Sequence, residues 1–125
     1  FHGVLPYGPE LFGRMREWDL LLATPLSEDT PRSALDALAS GMPILAFDTY
    51  YYRDLAESGA VDVVPWPSVD ALAARLAQHC ADRAWIRGAA PRGRRFAAEN
   101  TQQVWLDRRY PGTVAALDLR SGAGD

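Results

Sequence analysis

Two carboxylates and their neighbours carry the chemistry legible in this chain. Glu28 and Asp36 stand eight positions apart in the run SEDTPRSALD, where a polar loop leads into a helix. Ser27, Asp29 and Thr30 crowd the loop, and Pro31, Arg32 and Ser33 open the helix. A helix start offers free backbone N–H groups and a partial positive charge, so it attracts phosphate or a leaving-group anion. Asp36 lies roughly 7.5 Å up the helix axis from Pro31. Its side chain leans back toward the N-terminus, so its carboxylate can face the same crevice as Glu28. Both acids could then address one ligand of nucleotide size. The same spacing also suits a solvated loop acid and an ordinary surface helix residue. Arg32 reads either as a phosphate or sugar ligand or as an exposed arginine.

The flanking sequence supplies the frame. Residues 19–24 form an apolar run of strand length, the pattern of a strand buried on both faces. Residues 43–47 and 61–64 read as two more strands, the last stopped by Pro65 and Pro67. Leu11, Phe12, Met15 and Trp18 recur at helical spacing, predicting a helix over residues 10–17. Thr30 is an N-cap candidate, with Pro31 at the first helical position. That helix carries Ala34, Leu35, Leu38 and Ala39 on its apolar side and ends at Gly41 as a left-handed cap. Residues 51–58 predict a short helix closed by Gly59. Ser68 caps an amphipathic helix to residue 82, with Val69, Leu72, Ala73, Leu76, Ala77 and Cys80 on one face. Residues 84–100 are helical but weakened by Gly88, Pro91 and Gly93, which predicts a break near Pro91. Thr101 caps a further helix to Tyr110, with Trp105 and Tyr110 in the core. Residues 113–119 predict a last helical turn or two, and the tail RSGAGD is expected to be disordered. Residues 1–4 read as a strand end with its turn at Gly3.

Strands alternating with helices predict an α/β fold: a Rossmann-like parallel sheet with helices on both faces, in one domain over residues 1–119. In such sheets ligands bind beyond the carboxyl ends of the strands. Three loops meet that condition, at residues 25–30, 48–50 and 65–67. Tyr50 and Tyr51 either line the pocket there or pack into the core. A doubly wound sheet commonly has about five or six strands. Three strands and a stub therefore lead us to expect an incomplete domain.

The segment EDTPRSALDALASGMPILAFD resembles the donor-binding motif of family 4 retaining glycosyltransferases, which have the GT-B fold. Glu28 matches the first acid of the family's pair, and Asp36 stands where the second glutamate falls, seven residues intervening. Leu35, Ala37, Ala39, Gly41 and Pro43 match as well. The resemblance extends to the preceding strand-helix unit and to the C-terminal helices. It implies a transferase that moves a sugar from a nucleoside-diphosphate donor to an acceptor: a polysaccharide, a lipid or a small molecule. Glu28 would hold hydroxyls of the transferred sugar and Asp36 the ribose hydroxyls. Amides from Asp29, Thr30, Pro31, Arg32 and Ser33 would face sugar and pyrophosphate, with Gly3 and Val4 contributing from the strand stub. Pro31, however, has no N–H to offer. No metal or other cofactor is expected, because protein N–H donors and cations can stabilise the departing diphosphate. The alternative is a degenerate relative that serves as a non-catalytic interaction or scaffold module.

Bulk properties narrow the partners. The chain has 125 residues, 48% of them apolar, and a net charge of −3, so it carries no nucleic-acid footprint. Its 13 basic residues are all arginine, which with abundant alanine suggests a GC-rich bacterial source. A lone cysteine, Cys80, excludes an internal disulfide and fits a reducing, cytoplasmic setting. Arg92, Arg94 and Arg95 form a basic cluster, read as a solvated helix face or as a contact to anionic headgroups at the inner face of a membrane. No apolar run approaches the ~20 residues of a membrane span. His2 and His79 stand apart from other ligating residues, so packing or solvent accounts for each. The chain opens at Phe1 without an initiator Met, and a preceding segment is expected. Without strands from that segment, the 19–24 strand would present an unpaired edge and invite self-association.

Overall fold

The computed structural model describes residues 3–28, 32–104 and 107. The elements run α1 (Pro9–Met15), β1 (Leu21–Ala23), α2 (Arg32–Ser40), β2 (Ile44–Phe47), α3 (Tyr50–Ala56), β3 (Val61–Val64), α4 (Val69–Ala81) and α5 (Ala84–Glu99). The three strands form a parallel sheet in the order β1-β2-β3. This is an α/β fold of the Rossmann-like kind.

The middle strand organises both layers. All four β2 residues are buried, and alternate side chains point to opposite faces. Ile44 and Ala46 join Met15 of α1, Ala34, Ala37 and Leu38 of α2, Tyr52 and Leu55 of α3 and Ala89 of α5. Leu45 and Phe47 point the other way and pack with Val64 against Leu72 and Leu76 of α4. Among the described residues, four helices therefore cover one face and α4 covers the other. The sheet grows in one direction, and connections of a single hand then place both crossover helices, α2 and α3, on one face. Leu38, Ile44 and Leu45 are fully buried, each worth about 1.5–3 kcal/mol relative to exposure.

The end of α2 is a Schellman motif. Met42 N–H donates to the Ala37 carbonyl at 2.9 Å and Gly41 N–H to the Leu38 carbonyl at 3.0 Å. Gly41 takes φ +80°, which a residue with a Cβ reaches only under strain. At α4, Ser68 is the N-cap, its Oγ accepting from Ala71 N–H at 3.2 Å.

Several expectations change. The first strand is shorter than residues 19–24 and is not buried on both faces. It is the edge of the described sheet, and Leu22 stays 45% exposed because α4 packs chiefly on β2 and β3. Gly3 and Val4 belong to no strand, and Val4 is 99% exposed; Phe1 and His2 lie outside the described residues. The buried side of α4 is rotated from the expected one. Ala71, Leu72, Leu76 and His79 face inward, while Val69, Ala73, Ala77 and Cys80 are exposed. Polar pairing moves the face. Asp62 on β3 accepts from Arg75 Nη1 at 2.6 and 2.7 Å, and His79 Nε2 shares a 2.8 Å hydrogen bond with Asp62 Oδ2. His79 also stacks on Trp85, ring centroids 4.5 Å apart, so its role is packing.

The break expected near Pro91 does not occur, and α5 runs unbroken through it. Tertiary packing supplies what propensity lacks. Gly93 is buried against α2: a Cβ there would stand 3.2 Å from both Leu38 Cδ2 and Ala60 Cβ. Arg92 Nε donates to the Gly59 carbonyl at 2.8 Å, and the Arg94 guanidinium lies over Gly41. Both cations thus sit at helix C-termini, where unpaired carbonyls carry partial negative charge. Two of the three clustered arginines clasp α5 to α3 and α2. Beyond α5, Thr101 Oγ1 accepts from Val104 N–H at 3.3 Å. Trp105, Tyr110, residues 113–119 and the tail lie outside the described residues, as do Thr30 and Pro31.

Candidate functional site

The loops after β1, β2 and β3 meet at the carboxyl edge of the sheet. They enclose a cavity of about 310 Å³ lined by Leu26, Ser27 and Glu28, by Asp48 and Thr49, and by Trp66. Each loop contributes because parallel strands deliver their following residues to the same edge.

Glu28 is held there by backbone. Tyr50 N–H, at the start of α3, donates to both carboxylate oxygens of Glu28, at 3.0 and 3.1 Å. The bond aims the carboxylate and caps an orphan amide of α3. It leaves the outward lone pairs for a ligand. The Tyr50 ring itself is exposed, whereas Tyr51 packs on the core. Asp48, the second acid of the cavity, accepts from Arg53 Nε at 2.9 Å. That hydrogen bond, with the Asp48 charge, raises the Arg53 pKa, and Glu28 adds to the effect. Arg53 is thus paired with Asp48 and also feels the Glu28 charge. Trp66 closes the far wall, its Nε1–H donating to the Pro25 carbonyl at 3.1 Å.

Asp36 is placed differently. It does not line this cavity; its carboxylate accepts from the Tyr7 hydroxyl, 3.3 Å from each oxygen. The Asp36 charge holds the Tyr7 phenol above its ordinary value of 10.0, and Arg32 pulls the other way. Arg32, Asp36 and Tyr7 thus form a polar group at the head of α2, with Ser33 exposed beside it. Asp29, Thr30 and Pro31, which join this group to Glu28, lie outside the described residues. Gly3 and Val4 do not line the cavity that holds Glu28.

The carboxylates of the cavity can accept hydrogen bonds from hydroxyls, and Leu26 and Trp66 give it an apolar wall. Its two carboxylates disfavour phosphate, so phosphate would fall to the head of α2. Among the described residues, no three His, Cys, Asp or Glu side chains are grouped to hold a metal ion. The amino-acid sequence points to the three loops but does not single out Trp66 or Asp48 within them, nor Arg53 as the partner of Asp48. Position was the available signal for Trp66 and Asp48, since both fall in carboxyl-edge loops. Nothing local pointed to Tyr7, which meets Asp36 across 29 residues of chain. Compared with protein families, characterised proteins and solved structures, the chain matches none.

Proposed function

We propose that this chain is the donor-binding part of a retaining glycosyltransferase of the GT-B kind. It would transfer a sugar from a nucleoside-diphosphate donor without a metal, acting in the cytoplasm or at the inner membrane face. The observation that supports the reading is the Glu28 carboxylate. It stands at the carboxyl edge of a parallel sheet and is aimed by a backbone amide, with free lone pairs toward a cavity. In this reading Glu28 accepts hydroxyls of the transferred sugar. Asp36 at the head of α2 accepts ribose hydroxyls, displacing Tyr7 as donor. Amides at the head of α2 face the pyrophosphate. The transition state resembles an oxocarbenium ion. Charge gathering on the leaving diphosphate is stabilised by preorganised N–H donors and cations.

A second reading, a non-catalytic scaffold module, is favoured by one observation. Glu28 is engaged with Tyr50 N–H and Asp36 with Tyr7, and the two acids do not share a cavity. Calorimetric titration with UDP, GDP, ADP and their sugar conjugates separates the readings. Glu28→Gln should weaken a sugar nucleotide by about 10- to 100-fold, the range for a hydrogen bond to a charged group, while leaving the bare nucleotide unchanged. Asp36→Asn should weaken both. A complete protein, folded and with any preceding segment, that binds none of these ligands would exclude the transferase reading.

A further inference from the structure

Trp66 lies half exposed, at 50%, on the wall of the carboxyl-edge cavity. Its Nε1–H is the indole's sole donor, and the Pro25 carbonyl consumes it. The bond runs from the loop after β3 back to the loop after β1, so the ring is tethered at its polar edge. What remains for a ligand is the π face. Leu26, exposed, extends the apolar wall. On the other walls stand Glu28 and Asp48, each with one donor already in place and lone pairs to spare, and the hydroxyls of Ser27 and Thr49.

A pyranose ring needs this combination. It has a face of C–H groups, which packs on an aromatic plate, and a rim of hydroxyls, which carboxylates accept strongly. Two carboxylates repel phosphate, and the volume of about 310 Å³ is at the small end for ligand sites, suited to one sugar ring. A hydrophobic ligand would strip water from both acids and leave their remaining lone pairs without a donor, which is costly.

We propose that Trp66 is the stacking face of a saccharide subsite, in which Glu28 and Asp48 accept the hydroxyls of a pyranose that binds without any nucleotide. The proposal shares Glu28 with the transferase reading but does not depend on nucleotide binding.

The test is NMR titration of the 125-residue chain with methyl pyranosides of the gluco, galacto, manno and N-acetylglucosamine series. Uridine and guanosine run as separate arms. The Trp66 indole N–H signal is identified by its loss in Trp66→Phe. It should shift saturably with at least one pyranoside. Trp66→Ala should weaken that pyranoside about tenfold, Trp66→Phe only a few-fold, and Asp48→Asn about tenfold. Trp66→Phe also lacks the Pro25 bond but keeps a π face, so it retains binding if stacking is the cause even where Trp66→Ala fails to fold. A Trp66 signal unmoved by every pyranoside in folded protein overturns the proposal. So does a signal moved by nucleosides alone, or loss of binding in Trp66→Phe as complete as in Trp66→Ala. Nucleotide binding without pyranoside binding would leave the transferase reading standing and remove this one. The reverse result would keep this one alone.

Discussion

Gly93 and Gly88 lie in the same helix, and alanine at each should change stability in opposite directions. In a helix interior, alanine is favoured over glycine by about 1 kcal/mol. At Gly88 the added Cβ meets only the Arg92 guanidinium, at 3.3 and 4.0 Å. That group is the far end of a flexible side chain and can turn aside. Gly88→Ala should therefore keep most of the gain, a stabilisation of ~0.5–1 kcal/mol. At Gly93 the new atom stands 3.2 Å from Leu38 Cδ2 and Ala60 Cβ and 3.5 Å from the Leu38 carbonyl. Leu38 and Ala60 are fully buried, and the Ala60 carbonyl accepts from Ile44 N–H at 3.0 Å at the start of β2. Neither can yield without disturbing the core or the sheet. Overpacking of this kind costs about 1–3 kcal/mol, which outweighs the propensity gain and leaves a net loss of ~1 kcal/mol. Differential scanning calorimetry reads the pair directly. One kcal/mol shifts Tm by about 4–8 °C in a 60–100-residue domain, so the two variants should diverge by several degrees around wild type. If Gly93→Ala stabilises as much as Gly88→Ala, α5 is not seated on α2 at Gly93, and packing is not what carries the helix through Pro91.

Asp36→Asn should lower the Tyr7 pKa toward its ordinary 10.0, because the Asp36 charge is the largest cause of the rise. Ultraviolet titration of Asp36→Asn against wild type, with Tyr7→Phe subtracted from each, reads the shift; equal titration would show that the contact does not persist in solution. The sign for stability follows from the same direction. Tyr7 and Tyr51 both have raised values in the folded state, so their contribution is complete below about pH 10 and is lost as pH rises through the folded pKa. Alkaline unfolding should therefore begin earlier in wild type than in Tyr7→Phe. At the sheet edge, Leu22→Lys should reduce self-association measured by light scattering, since β1 is unpaired on one side in the described sheet and Leu22 is exposed. Wild type that stays monomeric at high concentration would count against an available edge.

Local chemistry was enough to locate much of this fold. Residues 61–64 are a strand as read, because three β-branched valines, Val61, Val63 and Val64, end abruptly at proline. Ser68, Gly41 and Gly59 mark helix ends because only certain residues satisfy orphan backbone groups or accept positive φ. The three carboxyl-edge loops followed from topology, since parallel strands send their next residues to one edge. Glu28 was recognisable as a loop acid at that edge; its Tyr50 partner, 22 residues away, was not. Tertiary contacts decided what no window of sequence contains. Pro91 and Gly93 look like helix breakers until Leu38 and Ala60 require a residue without a Cβ there. His79 looks isolated until Asp62 comes beside it and rotates the buried face of α4. Trp66 joins the wall of the carboxyl-edge cavity only when the fold brings the Pro25 carbonyl, 41 residues away, to its N–H. Backbone propensity acts over a few residues and can be read directly, but close approach and charge pairing depend on which distant side chains the fold brings within a few ångströms.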